Sequence, residues 1–534
     1  MFISSSSFFL SDYLTKILNA GDFSVAQFDF ALKSKNITAL TIAEKNAVLG
    51  SAHWLTLNRA LAKTQWQSAL KLAYWYQQSA KEVANHEKGL LITSAIMWFE
   101  QAIRLDSQTA IIELAQLYYR HDNFIKAQAT LEELPEELPE ELPEELPEEL
   151  AEELANNNLA ESALLLRFNM AIDLGDISLV KALLNSNVFT LTSKAKTDSL
   201  LADIDKYSVI DDKGVFTNNT LENSSSCITS LQLFATNFKH LKHIEYLIKR
   251  FKTEQPLAQY ICLPTPRYIS LKGLDCIAKS QEAISCDESN WQSIAKKVDS
   301  QYIGLMLKEG GANVHMGILY FDAKDNVEVF SHEVSHLLGF VDEYPLSKTH
   351  DKCRDSQTKI FSHNIAVLKK YYQGTRKSVR VNILKNIPWA ASIKNSTPIL
   401  KLEVIGEEKE EYWRLGTPIA FQQQIGVHIS ETCQKANDDN GFKSDLVKHS
   451  FSAFKPVSRR TQLRYFASDF PKEYLTLLET KPKAYLMPSF HYNIALSLFQ
   501  QGLTIEAKYW LKQAAKWEEA PLKKLTILKG QFNY

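Results

Sequence analysis

The run His332-Glu333-Val334-Ser335-His336 places two imidazoles and a carboxylate at a spacing suited to hydrolytic chemistry. Histidines four residues apart lie one turn apart on one helix face, so both rings can reach a single zinc ion. Glu333, beside the first of them, can take the proton of a zinc-bound water. Gly339 and Asp342 extend the pattern to HExxHxxGxxD. The glycine lets the backbone turn sharply after the helix and return an oxygen donor towards the metal. Requiring these two further residues lowers the chance rate by about two orders of magnitude relative to the shorter pattern. The expectation is a zinc site of His332, His336 and Asp342 with Glu333 as catalytic base, and with Glu343 as the rival third ligand.

These side chains need a helix and a strand to place them. Val327 to Leu338 contains no proline or glycine and is followed by Gly339, which reads as a helix closed by a left-handed cap. Upstream, Tyr302 to Leu307 and Asn313 to Phe321 are apolar, partly alternating runs on either side of a Glu-Gly-Gly turn, and they read as the two strands of a hairpin. His315 on the second run has no partner at ligand spacing and reads as a surface or packing residue. Tyr344 is close enough in sequence to serve an oxyanion, although an aromatic residue after a loop is more often core.

The extended motif resembles that of the metzincin zinc peptidases, whose third ligand, usually His and sometimes Asp, stands where Asp342 does. The run Asp342-Glu343-Tyr344, with GGANVHMGILYF before the helix, is also similar to the IgA-specific metallopeptidase family, in which the acidic pair falls about one residue later. The resemblance spans at most Asp299 to Phe470. It implies an α+β zincin-like domain that hydrolyses peptide bonds, with Glu333 passing a proton to the leaving amine. It also implies an edge strand, here Asn313 to Phe321, that pairs with the backbone of a peptide or protein substrate. Metzincins set a methionine turn under the metal, yet after Met316 the next methionine is Met487. The match is therefore partial.

The flanks read differently. Leu114, Ala115, Tyr118, Phe124, Ala127 and Leu131, preceded by Ala95, Phe99 and Ala102, resemble the tetratricopeptide pattern of paired antiparallel helices. Ile494, Ala495, Leu498, Gly502, Ala507, Leu511 and Ala514 repeat it near the C-terminus, with Gly502 at the turn. Such a scaffold could hold a protein partner. From Leu134 to Leu150 the chain repeats Leu-Pro-Glu-Glu, and the prolines forbid a regular helix, leaving an acidic solvated spacer. The organisation expected is multidomain: helical repeats over 1–212 with the spacer at 134–150, a linker over 213–228, a zincin-like metallopeptidase domain over 229–470, and tetratricopeptide-like helices over 471–534.

Composition narrows the partners. A formal net charge of -2 offers no basic field for nucleic acid. No apolar run is long enough for a membrane span, and the first residues lack the basic start and apolar stretch of a signal peptide. Six cysteines cluster mid-chain without CxxC spacing. They suggest disulfides, with Cys353–Cys433 and Cys276–Cys286 as the expected pairs, and so an extracytoplasmic (periplasmic or secreted) location; buried free thiols are the alternative. The competing function is a tetratricopeptide-like binding scaffold with an inactive or structural metal site. A structural zinc site usually has four protein ligands and no glutamate beside the first histidine, so Glu333 favours the enzyme.

Overall fold

The structure, a computed structural model, describes residues 7–20, 24–134, 149–185, 194–210, 227–280, 282–347, 350–405, 410–436 and 450–532. Apart from their ends, the Leu-Pro-Glu-Glu spacer and the 213–228 linker lie outside the described residues. The chain forms two compact units, one of residues 1–171 and 178–198, the other of 172–177 and 199–534. Among the described residues the first unit is helical and the second combines helices with small sheets, a multidomain α+β organisation.

Helices of the first unit begin where short polar side chains can satisfy the free N–H groups of a first turn. Ser24, Asn36, Ser51, Ser107 and Asn123 each accept a hydrogen bond from the backbone N–H three residues on. The helices Trp66–Glu82, Asn85–Ile103, Gln108–Arg120 and Phe124–Leu131 each pack on the next. Ala69, Ala73, Ala95, Ala102, Ala110, Ala115 and Ala127 are fully buried in their shared core. Side chains this small let the helix backbones approach closely, and Phe99 fills the space that remains.

A mostly parallel sheet organises the second unit, running in spatial order Ile261–Cys262, Thr229–Ala235, Tyr302–Leu307, Ile318–Asp322, Asn313–His315, with Arg267–Tyr268 added beside Thr229–Ala235. Here the expected hairpin is corrected. Tyr302–Leu307 runs parallel to Ile318–Asp322, with Ile303 opposite Ile318. The chain reverses instead at Met316 and Gly317, both at positive φ (43° and 86°), so the 313–321 run divides into two antiparallel strands. A two-residue turn of this kind matches the twist of the strands it joins, and its second position suits glycine. Gly317 is required for a second reason: a Cβ there would stand 2.5 Å from the Phe490 nitrogen and the Pro488 oxygen.

Two boundaries differ from the sequence reading. The helix Lys194–Lys206 is tied to the second unit by ion pairs of Lys206 with Glu245 (2.6 Å) and Asp203 with Lys242 (2.7 Å), so that unit begins before the expected linker. The C-terminal helices Phe490–Gln500 and Thr504–Lys516, with Gly502 at φ 79° between them, are not a separate body. Ile494, Leu498 and Leu511 share one core with Phe234, Ile303 and Tyr320 of the sheet.

Candidate metal centre

The motif helix runs from Val327 to Leu337. Asn326 caps its start by accepting from the Val329 N–H at 3.0 Å. Its end is a Schellman closure: the Gly339 N–H donates to the His336 carbonyl (3.0 Å) and the Phe340 N–H to the Ser335 carbonyl (3.1 Å), with Gly339 at φ 89°. The chain then turns back under the helix. Buried Asn364 grips Val341 at both its N–H (2.9 Å) and its carbonyl (2.8 Å), and the Thr432 hydroxyl donates to the Asp342 carbonyl at 2.8 Å. These bonds fix the backbone on either side of Asp342.

Three donor atoms converge as a result. His332 Nε2 and His336 Nε2 stand 3.1 Å apart, and Asp342 Oδ1 lies 3.1 Å from the first and 3.2 Å from the second. The outer nitrogens decide what this triangle is. His332 Nδ1 faces the Gln462 carbonyl at 3.0 Å and His336 Nδ1 faces the Phe340 carbonyl at 3.1 Å. A carbonyl can only accept, so each Nδ1 carries the proton of the neutral ring and each Nε2 is left with a lone pair. Two lone pairs and a carboxylate oxygen thus face one another, and no aligned hydrogen bond satisfies Asp342 Oδ1. Such an arrangement could hold a cation at its centre. A tetrahedral zinc donor set, with bonds of about 2.0–2.1 Å, has donor-to-donor edges of about 3.3 Å, so the observed triangle fits it with little adjustment.

The electrostatics point the same way. Burial alone would raise the Asp342 carboxyl, but the two imidazoles outweigh it and hold the group well below the usual range. Burial alone would lower His336, yet Asp342 and Glu333 push it up to about 9. Both shifts express a preference for positive charge among these groups.

Glu333 is buried, and burial raises its pKa. Its carboxylate and the two imidazoles offer ligand atoms within 4.8 Å of one another. Glu333, His336 and Asp342 open onto a cleft of about 390 Å³ whose opposite side includes Asn313, Val314 and His315 of the edge strand. His315 thus stands on the cleft wall. Tyr344 lines the same cleft, hydrogen-bonds the Asp342 carboxylate and stacks at 6.3 Å on the His332 ring. Burial and the Asp342 charge raise its phenol far above the usual range, so it is a permanent donor.

Glu343 is placed elsewhere. Fully buried, it pairs with Lys455 Nζ at 2.5 Å and accepts from the Tyr474 hydroxyl at 2.5 Å, which leaves it no part in the histidine cluster. Asn364, Thr432, Gln462, Lys455 and Tyr474 are the residues that sequence reasoning missed. They act across 23 to 131 positions of chain, and nothing local marks them. Met487 is also brought in. Its N–H donates to the Leu337 carbonyl at 3.0 Å, its sulfur accepts from the Gly317 N–H at 3.0 Å, and it lines the cleft with Glu333 and His336. Phe466 meets the His332 ring edge-on at 4.6 Å.

No protein-family model matches this chain, and no curated protein or solved structure matches it either.

Proposed function

We propose that the chain is a zinc-dependent metallopeptidase, a distant zincin flanked by tetratricopeptide-like helices. The observation that carries this reading is the convergence of His332 Nε2, His336 Nε2 and Asp342 Oδ1 within 3.1 to 3.2 Å, with Glu333 alongside in an open cleft. His332, His336 and Asp342 would hold the zinc ion, which would supply an acidified water and a polarising charge for the scissile carbonyl. Glu333 takes the water's proton and delivers it to the leaving amine, and burial, by raising its pKa, keeps it a usable acid for the second step. Val314, opposite Leu319 and next to the His315–Ile318 pair that closes the turn, takes the non-hydrogen-bonded place of the antiparallel alternation, which turns its N–H and C=O to the outer edge of the strand, where an extended peptide can pair.

The helical first unit suits the holding of a protein substrate or partner. Six cysteines in three disulfides, Cys227–Cys262, Cys276–Cys286 and Cys353–Cys433, favour an oxidising, extracytoplasmic setting. Among the described residues no helix is long and apolar enough to cross a membrane.

Zinc quantification and a general peptidase assay on the wild type and on Glu333→Gln test the proposal together. The wild type is expected to hold one zinc per chain and to hydrolyse peptides. Glu333→Gln should keep the zinc and lose activity by about 10²-fold or more. Undiminished hydrolysis in that variant, or a wild type that does not take up zinc, overturns the reading.

A further inference from the structure

Away from the metal cleft, charge in the second unit is unevenly spread. From Lys369 to Lys401 the chain carries eight lysines and arginines and no aspartate or glutamate, in a sequence whose formal net charge is -2. The middle of this segment encloses a cavity of about 510 Å³ that shares no lining residue with the metal cleft. One wall is the beginning of the helix Arg376–Leu384, which contributes Arg376, Lys377 and Arg380. The other is the stretch 395–400, which leads into the strand Leu400–Ile405. None of the described residues that line this cavity is acidic.

Arg380 is the cation whose head group is placed at the wall. Its Nη1 donates to the Thr397 carbonyl at 2.9 Å and its Nη2 to the Lys394 carbonyl at 3.2 Å, and Thr397 lines the cavity. The two carbonyls fix the plane of the guanidinium and leave further N–H groups of the fork to donate. Burial lowers the Arg380 pKa, and the charge of Arg376 lowers it further. Arg376 itself rests on the Trp413 ring at 5.9 Å, so it adds positive charge to the site rather than a contact. Among the described residues no carboxylate pairs with Arg376, Lys377 or Arg380. Glu403, the first acid after the segment, is shared between Lys401 at 3.5 Å and Arg414 at 3.2 Å. Gathering like charges without a counter-charge is costly, and a bound anion relieves the cost.

The kind of anion follows from the donors. A carboxylate brings one charge and two oxygens, which one guanidinium satisfies. A phosphate ester brings nearly two charges and three acceptor oxygens, which match a guanidinium, an ammonium and the neutral donors of Asn395 and Ser396 on the facing wall. Pro398, Ile399 and Leu400 complete that wall with apolar surface, so the cavity also has a place for the organic part of an ester.

We infer that this cavity binds the phosphate-ester group of a small organic ligand, with Arg380 as its anchor and Lys377 as the second cation. Such a site is independent of whether the metal centre hydrolyses peptides.

Calorimetric titration of the full-length chain at about pH 7.5, where a phosphate ester is largely a dianion, tests it. Phenyl phosphate should fill one site and bind about tenfold more tightly than phenyl sulfate or benzoate, and its affinity should fall as salt is raised. Lys377→Met, at an exposed position, should weaken binding by about threefold to tenfold, and Arg380→Met by about tenfold or more. Arg380→Lys keeps the charge without the fork and should fall between wild type and Arg380→Met. Arg380 also ties down Thr397 and Lys394, so melting curves accompany the variants, and Lys377→Met decides the matter if Arg380→Met does not fold.

Equal affinity for the three probes overturns the phosphate assignment. Phenyl phosphate binding that survives Lys377→Met and Arg380→Lys unchanged, yet disappears when metal is stripped with a chelator, belongs to the metal centre and overturns the site. So does capture of dextran sulfate without any binding of phenyl phosphate, which would make this face a surface for long polyanions.

Discussion

Adjacent acids at 342 and 343 show what a single residue's surroundings decide. Asp342 faces two imidazole lone pairs, while Glu343, one position on, faces an ammonium and a phenol. Their substitutions should therefore separate. Asp342→Asn removes the carboxylate that faces both imidazoles, so zinc affinity should fall by at least about 10²-fold. Glu343→Gln leaves Lys455, 8% exposed, as an uncompensated buried cation and should cost about 3–5 kcal/mol of unfolding free energy. Zinc titration and denaturant unfolding of the two variants check this, and the opposite pattern would make Glu343 the ligand. The histidine pair and Glu333 were legible in the sequence because all three lie within one helical turn. The choice between the two acids was not legible, because Lys455 and Tyr474 reach Glu343 from 112 and 131 positions away.

At the scale of elements, legibility followed local rules where such rules exist. The motif helix was expected to stop at Gly339 and does so, because the cap that ends it is written in that glycine. Gly339→Ala should therefore act on the metal centre as well as on the helix. The left-handed backbone costs an alanine about 1–2 kcal/mol, and its Cβ would stand 2.3 Å from the Tyr485 carbonyl oxygen. Relief requires the turn that carries Asp342 to move, so the variant is expected to melt lower and to bind zinc more weakly. Unchanged zinc affinity would show that Asp342 does not depend on this turn. The strand pair was misread for the complementary reason. Three glycines, Gly310, Gly311 and Gly317, could each turn the chain, and only the parallel partner at Tyr302–Leu307 selects Gly317 as the reversal. The Cys353–Cys433 and Cys276–Cys286 pairs are both present, and the former lies in a small core with Val341, directly before Asp342. Replacing Cys353 and Cys433 by serine should cost about 2–5 kcal/mol, and a melt of the double variant measures it.

Over the whole molecule, sequence patterns pointed to helical flanks and to a His/Glu cluster but not to which pieces share a core. An amphipathic helix announces an apolar face without naming its partner, so Phe490–Gln500 read as a repeat helix and packs in the core of the sheet. That core and its surroundings also bury two histidines with consequences for the entire second unit. His363, 1% exposed, lies between the Phe340 and Tyr485 rings; His491, 6% exposed, stacks on Trp510. Each has one ring nitrogen without a hydrogen-bond partner. Burial, aided by the charge of Lys481, lowers His363 from 6.5 to about 3, and burial with Lys516 lowers His491 to about 4. In both cases the unfolded chain takes up a proton at a pH where the folded chain does not. Their contribution is thus fully present above about pH 6.5 and is lost as the pH falls towards 4 and then 3. His336 has the opposite sign: its folded pKa of about 9 favours the fold below pH 6.5 and is lost on going through 9, so the measurement belongs on zinc-loaded protein, in which that ring is held as a ligand. Chemical denaturation from pH 7 down to 4 should show stability falling by a few kcal/mol, a window that zinc release from the three ligands also enters. His491→Gln, remote from the metal centre, should flatten the slope without changing zinc affinity. A slope unaltered in that variant would mean that the buried imidazole takes up its proton as readily as the unfolded one.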